Sequence, residues 1–320
     1  MNRAISLANW PEFLQAGRNL DQLDPQFLTL GSALNSNVTN PMYNKGGLLN
    51  VGNATMSRSQ LLLPFPQFTG VTVNGSDTNH SRYDAIYAKV QRRFAGGMTL
   101  LATYTWSRNL DQGYGTTSNS YSTAPSGPQN AYNLPAEWGL STSHTPHRLS
   151  MAGSYLIPVR VHNRVLKTIA EGWSANVTGV MQSGYPLAVS QPNNNSVIGA
   201  STQRPNATGI GAAVDASFEK RIDGWINPAA FSQAAQFSFG NLGRVISLRG
   251  PGQISFDASV FKTFSVMEKL KAQFRAEALN VSNTPTFYGP NTTFTSPQFG
   301  IITSQANYPR LIQMGVRFYR

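Results

Sequence analysis

The chain has no cysteine, few charges and no long apolar run, and each shortage removes a class of protein. With no thiol among 320 residues, a disulfide scaffold, a thiol nucleophile and a cysteine-ligated metal are all excluded. Charged residues make up 12% of the chain, about half the share usual in a soluble globular domain. No window of roughly eighteen apolar residues occurs, so no transmembrane helix is expected. The opening MNRAISLANWPEFLQAG lacks an apolar signal core, and the expectation is that the natural start lies upstream of Met1. The net charge of +11 is scattered, with runs no longer than pairs such as Arg92 and Arg93. A nucleic-acid partner is therefore not expected, and an anionic membrane surface accounts better for dispersed cations.

Catalytic and metal-binding patterns are also missing. His144 and His147 form a close pair, but Pro146 intervenes and no carboxylate adjoins them, so they read as loop residues rather than ligands. No GxSxG elbow frames a nucleophile, and no glycine-rich phosphate loop follows a strand. The expectation is a protein that is not an enzyme, with no metal and no cofactor.

What the chain does have is alternation. The stretch KLKAQFRAEALN, 269–280, is built of good helix formers, yet as a strand it sorts Leu270, Ala272, Phe274, Ala276 and Ala278 from Lys271, Gln273, Arg275 and Glu277. Six further segments alternate in the same way: 82–94, 98–108, 147–157, 173–183, 253–264 and 310–319. Each is near the roughly 9–11 residues that cross a bilayer at a tilt.

The connections alternate too. Those at 95–97, 158–171 and 265–268 are the shorter ones, and those at 109–146, 184–252 and 282–309 are long. Short periplasmic turns and longer extracellular loops are the habit of outer-membrane barrels. Phe94, Tyr155, Trp173, Phe264 and Phe318 fall on the apolar face at the short-turn ends, and Tyr104 and Trp106 at the opposite end, as two interfacial girdles would. The fold class expected is all-β: a section of a transmembrane antiparallel barrel of about seven strands, occupying residues 82–320. Residues 1–81 read mainly as extracellular loop with room for short strands, one of them within 61–73, where Pro64 and Pro66 restrict it to an edge.

With the strands laid out, LDPQFLTLGSALNSNVTNPMY, SRSQLLLPFPQFTGV, SRYDAIYAKVQRRFAGGMTLLATYTWSRNLD, FRAEALNVSNTPTF and FGIITSQANYPRLIQMGVRFYR resemble the C-terminal part of a TonB-dependent receptor barrel of the Oar-like kind, which carries a carboxypeptidase-regulatory-like N-terminal domain. The resemblance implies a barrel of about 22 strands with a plug inside, import of a scarce ligand (siderophore, glycan or peptide-derived nutrient) across the outer membrane, and a TonB contact near a missing N-terminus. The plug is absent here, so the sequence looks partial. Outer-membrane lipid, lipopolysaccharide and the barrel-assembly machinery are the implied partners. The assembly signal of such barrels places a polar residue, a glycine, an apolar residue and a terminal aromatic on one face. Gln313, Gly315 and Phe318 match it, and Arg320 stands where the aromatic belongs. A surface adhesin and a passive porin are the competing functions.

The candidate site residues follow from this layout. Lys89, Gln91, Arg93, Lys271, Gln273, Arg275 and Glu277 face the lumen, where a hydrated ladder of charge pairs is the simplest role and ligand or plug contact the functional one. Tyr114, Tyr121, Tyr132 and Trp138 in the first long loop offer amphipathic surface for a small or oligomeric ligand. As an irregular surface segment, that loop is expected to tolerate excision.

Overall fold

The computed structural model describes residues 22–44, 53–68, 70, 79–94, 96–113, 121, 127–192, 194, 196–198, 203–267 and 270–320. Seven long strands carry the architecture: β1 (Ser81–Phe94), β2 (Met98–Asp111), β3 (His147–Leu156), β4 (Trp173–Gln182), β5 (Gln253–Met267), β6 (Leu270–Leu279) and β7 (Leu311–Tyr319). Each pairs antiparallel with its neighbours in chain order, and Gly139–Leu140 adds a short pairing to β2. The alternating segments are thus strands, and KLKAQFRAEALN is β6. Its helix-forming residues yield to two flanking strands that complete its backbone ladder on both sides. It stops at Asn280, whose positive φ of 49° turns the chain. The Asn280 side-chain amide donates to the carbonyls of Thr284 and Tyr308, at 3.2 and 3.1 Å.

The register sorts the side chains into two faces. One polar row reads Arg93, Thr99, Ser154, Asn176, Ser259, Glu277, Gln313 across all seven strands. On the other face lie Val90, Ala102, Met151, Gly179 and Phe256. Gly179 is needed there because a Cβ would stand 2.4 Å from the Phe256 ring. The apolar face is uncovered: Ile86 is 66% and Met314 72% exposed. Among the described residues, Ala272 is the one buried apolar side chain of the seven strands. No described strand pairs the outer edge of β1 or of β7.

Four local expectations need correction. Residues 61–68 form no strand: the helix Arg58–Leu61 runs into turns, as two prolines that cannot donate to a ladder require, and 71–73 lie outside the described residues. The turn expected at 265–268 is tighter, because β5 continues through a bulge to pair Met267 with Leu270. The connection 157–172 is not a plain turn, since it contains helix α1 (Arg164–Ala170). His147 opens β3 rather than sitting in a loop.

The long connections all leave one end of the sheet and fold together into a dome. Its core is Leu187, Val189, Trp225, Ile226, Ala230, Phe231, Leu242, Ile246 and Ile302, drawn from the connections after β4 and β6, with Phe287, Phe294 and Phe299 packed against it. Three arginines from the connection after β4 tie it to the one after β2. Arg204 pairs with Glu137 in a buried ion pair. The Arg244 guanidinium donates to the carbonyls of Gly113, Asp111 and Leu140 at 2.7, 2.8 and 2.9 Å. Arg249 donates to the carbonyls of His144 and Gly184, both at 3.0 Å. Gln22 is buried with them and donates to the Gln129 carbonyl at 2.8 Å, so the segment preceding β1 is part of the dome.

Candidate functional site

The sequence-predicted site residues fall on the polar face of the sheet and among the aromatic side chains of the dome. Lys89, Gln91 and Arg93 stand opposite Thr103, Leu101 and Thr99, on the face that also carries Lys271, Gln273, Arg275 and Glu277. Glu277 accepts from the Gln313 amide and lies 3.9 Å from Arg275. Both partners of that pair are partly exposed, where such a contact is worth about 1 kcal/mol or less. Arg275 also stacks over the Phe261 ring at 4.8 Å. Between these two charged patches the face has a shallow hollow of about 240 Å³, lined by Leu101, Ala152 and Val180 as well as by Thr103, Ser150, Thr178, Ser255 and Asp257. Asp257 accepts the backbone N–H of Asn280 at 2.8 Å. Hydroxyls and one carboxylate thus share the hollow with apolar side chains.

The loop aromatics receive different settings. Tyr121 lies 5.1 Å from the Tyr288 ring and 6.3 Å from Tyr185, and Tyr185 takes a hydrogen bond from the Gln182 amide at 3.2 Å. This trio brings together the connections after β2, β4 and β6. Burial, with Tyr288 and Tyr185 beside it, raises the Tyr121 hydroxyl above its usual pKa. Tyr132 donates to the Gln22 carbonyl at 3.3 Å, which ties its hydroxyl into the dome. Trp138 is exposed on the surface, and Tyr114 lies outside the described residues. Tyr185 and Tyr288 were not singled out by sequence, because nothing in their spacing announces that distant loops meet.

His144 and His147 part company. His147 pairs with the Tyr104 hydroxyl at 2.8 Å on the apolar face. His144 is buried in the dome and accepts the Asn109 N–H at 3.3 Å. Burial, then Arg249 and Arg108, lowers its pKa from 6.5 to about 4. Among the described residues no group of three or more His, Asp or Glu side chains stands close enough to hold a metal ion.

The terminal signal residues do not share a face. Gln313 and Gly315 lie on the polar side, opposite Glu277 and Arg275, whereas Phe318 lies on the apolar side opposite Ala272. Strand alternation dictates this, since residues an odd number apart point oppositely. The expectation of a single face for them was therefore incorrect.

The open antiparallel sheet, the uncovered apolar face and the loops gathered at one end leave a soluble sandwich and a membrane barrel to be told apart, and comparison with protein families decides between them. The model of a family described as "Outer membrane beta barrel domain" matches residues 13–313. This chain belongs to that outer-membrane β-barrel family. No curated protein and no solved structure matches it. Family membership places the chain in the cell outer membrane and explains both faces: the apolar one meets lipid and the polar one the lumen. Barrels of this kind keep long connections outside the cell and short ones in the periplasm, so the dome is expected outside and α1 at the periplasmic rim.

Lys262 breaks the face rule in a buried position. In β5 the polarity inverts at Phe261 and Lys262, which puts a lysine on the lipid side. Lys262 is 3% exposed, and its ammonium donates to the carbonyls of Ile169 and Glu171, both at 2.7 Å. The C-terminal end of α1 thus supplies the carbonyls and negative dipole end that a cation requires there.

Proposed function

We propose that the chain is the C-terminal barrel section of an outer-membrane importer of the TonB-dependent kind, with the dome as the capture surface for a scarce ligand. The observation that carries this reading is the pairing of an open sheet with a built dome. A polar-faced sheet with two unpaired edges is stable in lipid only when more strands close it, because unsatisfied backbone groups there cost several kcal/mol each. A barrel larger than about eight strands has room for water or a plug. A passive pore has no use for three loops locked by a shared apolar core and buried arginines, whereas a receptor needs a preorganised outer surface. The half-buried Tyr121, Tyr185 and Tyr288 trio supplies rigid rings with polar tips where the three loops meet. The resemblance of the strand and turn phrases to Oar-like receptors supports the same reading.

The test is growth of a strain lacking the gene on a panel of ferric chelates, oligosaccharides and peptides as sole sources of iron, carbon or nitrogen. Growth on one of them is expected to be lost and then restored by the intact gene, and uptake of that compound by the restored cells is expected to be abolished by a protonophore. Size-dependent swelling of liposomes that hold the intact protein would instead establish a passive pore.

A further inference from the structure

The connection 157–172 is the anomaly of the periplasmic rim. Elsewhere at this end β1 stops at Phe94 and β2 starts at Met98, and β5 stops at Met267 and β6 starts at Leu270, so two or three residues suffice to join neighbouring strands. The additional length forms α1, and the hydrogen bonds fix where α1 lies. Its Ile169 carbonyl accepts from Lys262 Nζ at 2.7 Å and from the Trp173 indole Nε1 at 2.9 Å. Lys262 and Trp173 stand opposite each other in register on the apolar face, and the Trp173 ring meets Phe274 edge-on at 6.0 Å. The helix is therefore clamped to the outside of the sheet, beside the lipid, and not beneath the lumen.

Its own surface suits that position. Leu166 is 52% and Ile169 60% exposed, with Val159 also uncovered. A spacing of three puts Leu166 and Ile169 on one side of the helix. The segment contains Arg160, Arg164 and Lys167 against the single carboxylate of Glu171, and Glu171 accepts the Val161 N–H at 2.9 Å. Arg160 is exposed, and Lys167, 4.0 Å from the Glu171 carboxylate, keeps 62% of its side chain exposed. Arg92 lies on the same outward face at the same end.

We propose that α1 is an interfacial foot that seats in the periplasmic leaflet and gathers anionic phospholipid. Leu166, Ile169 and Val159 enter the acyl boundary, and Arg160 and Lys167 meet headgroup phosphates, as short amphipathic helices with basic flanks do. Lys262 holds the foot to the wall. The inference rests on the short-turn end facing the periplasm, and it is independent of what the barrel imports.

The absence of cysteine makes the test direct. An environment-sensitive fluorophore is attached to Ile169→Cys in the intact protein, reconstituted in phosphatidylcholine vesicles that contain a tenth of brominated phosphatidylglycerol or a tenth of brominated phosphatidylcholine. Blue-shifted emission is expected, with quenching by the anionic lipid several-fold stronger than by the zwitterionic one. Removing a single cation weakens attraction to an anionic surface roughly fivefold, so in Arg160→Gln with Lys167→Gln the two quenchers should become equal while heat-modifiable folding persists. Water-like emission, quenched by iodide and by neither lipid, would overturn the foot. Equal quenching before any substitution would overturn the anionic preference. Orientation is read separately, by adding an impermeant maleimide to intact cells: Trp138→Cys should label and Ile169→Cys should not. Labelling at 169 would show that the rim faces outward.

Discussion

The sheet and the dome are built on opposite rules within one chain. Nearly every buried apolar side chain among the described residues belongs to the dome or to the segments that precede β1, and Ala272 alone belongs to the long strands. The dome folds as a water-soluble domain does, with aromatics inside and buried arginines satisfied by carbonyls and carboxylates. The sheet leaves Ile86, Val90, Met314, Val316 and Phe318 exposed, because its apolar surroundings are supplied by lipid rather than by its own chain. The lesson is that burial marks the core of this protein only where water is the solvent. Substitutions should therefore divide cleanly between the two regions.

The largest effect is expected in the dome core. Trp225→Ala empties a site beside Ile226 whose indole donates to the Arg249 carbonyl at 2.7 Å, at a cost of about 3–5 kcal/mol. The loops should become protease-sensitive while the barrel keeps its heat-modifiable migration on a gel. Glu137→Ala leaves the Arg204 guanidinium buried without its carboxylate, which also costs about 3–5 kcal/mol, with the same division of outcomes. Loss of heat-modifiable migration in either variant would show that dome and sheet fold as one unit. Excision within 109–146 belongs to the same class. Instead of being tolerated, it should unravel the dome, because Arg204, Arg244 and Arg249 all find partners in that loop.

The sheet is probed on its two faces. Ala276→Arg puts a charge on the lipid side and should cost about 2–4 kcal/mol near the midplane, reducing assembly in the membrane. Gln273→Arg, on the lumen side, should assemble normally. Equal damage from both would mean that the faces are wrongly assigned.

The smallest effect is one of pH on the dome. His144 titrates near 4 when folded and near 6.5 otherwise. Protons therefore bind the unfolded loops first, and the stability His144 contributes is complete above 6.5 and lost as pH falls toward 4. Limited proteolysis of the loops should accelerate across that window, and His144→Gln should flatten the dependence. An unchanged pH profile in that variant would place the sensitive group elsewhere.

The strands were legible because period-two alternation is a backbone property that any seven of them repeat, and β6 could be told from a helix once its neighbours were counted. The dome was not legible, although its signals were present: Leu187, Val189, Trp225, Ile226 and Phe231 are scattered without period through a connection too long to be structureless in a compact protein. Tyr185 and Tyr288 meet Tyr121 only through tertiary folding. Lys262 was hidden for a different reason. Its neighbours predict a lipid-facing apolar residue, and only the carbonyls of Ile169 and Glu171, from a helix that reads as a turn, make a lysine tolerable there.

A single-cysteine scan along β6 tests the two-solvent division most directly, since the chain has no cysteine of its own. The intact protein in outer-membrane vesicles would carry one cysteine at each position from Lys271 to Ala278, and would be treated with a water-soluble maleimide. Labelling should alternate, with 271, 273, 275 and 277 reactive and 272, 274, 276 and 278 protected. Uniform labelling, or the opposite alternation, would contradict a sheet that sets lipid against one face and water against the other.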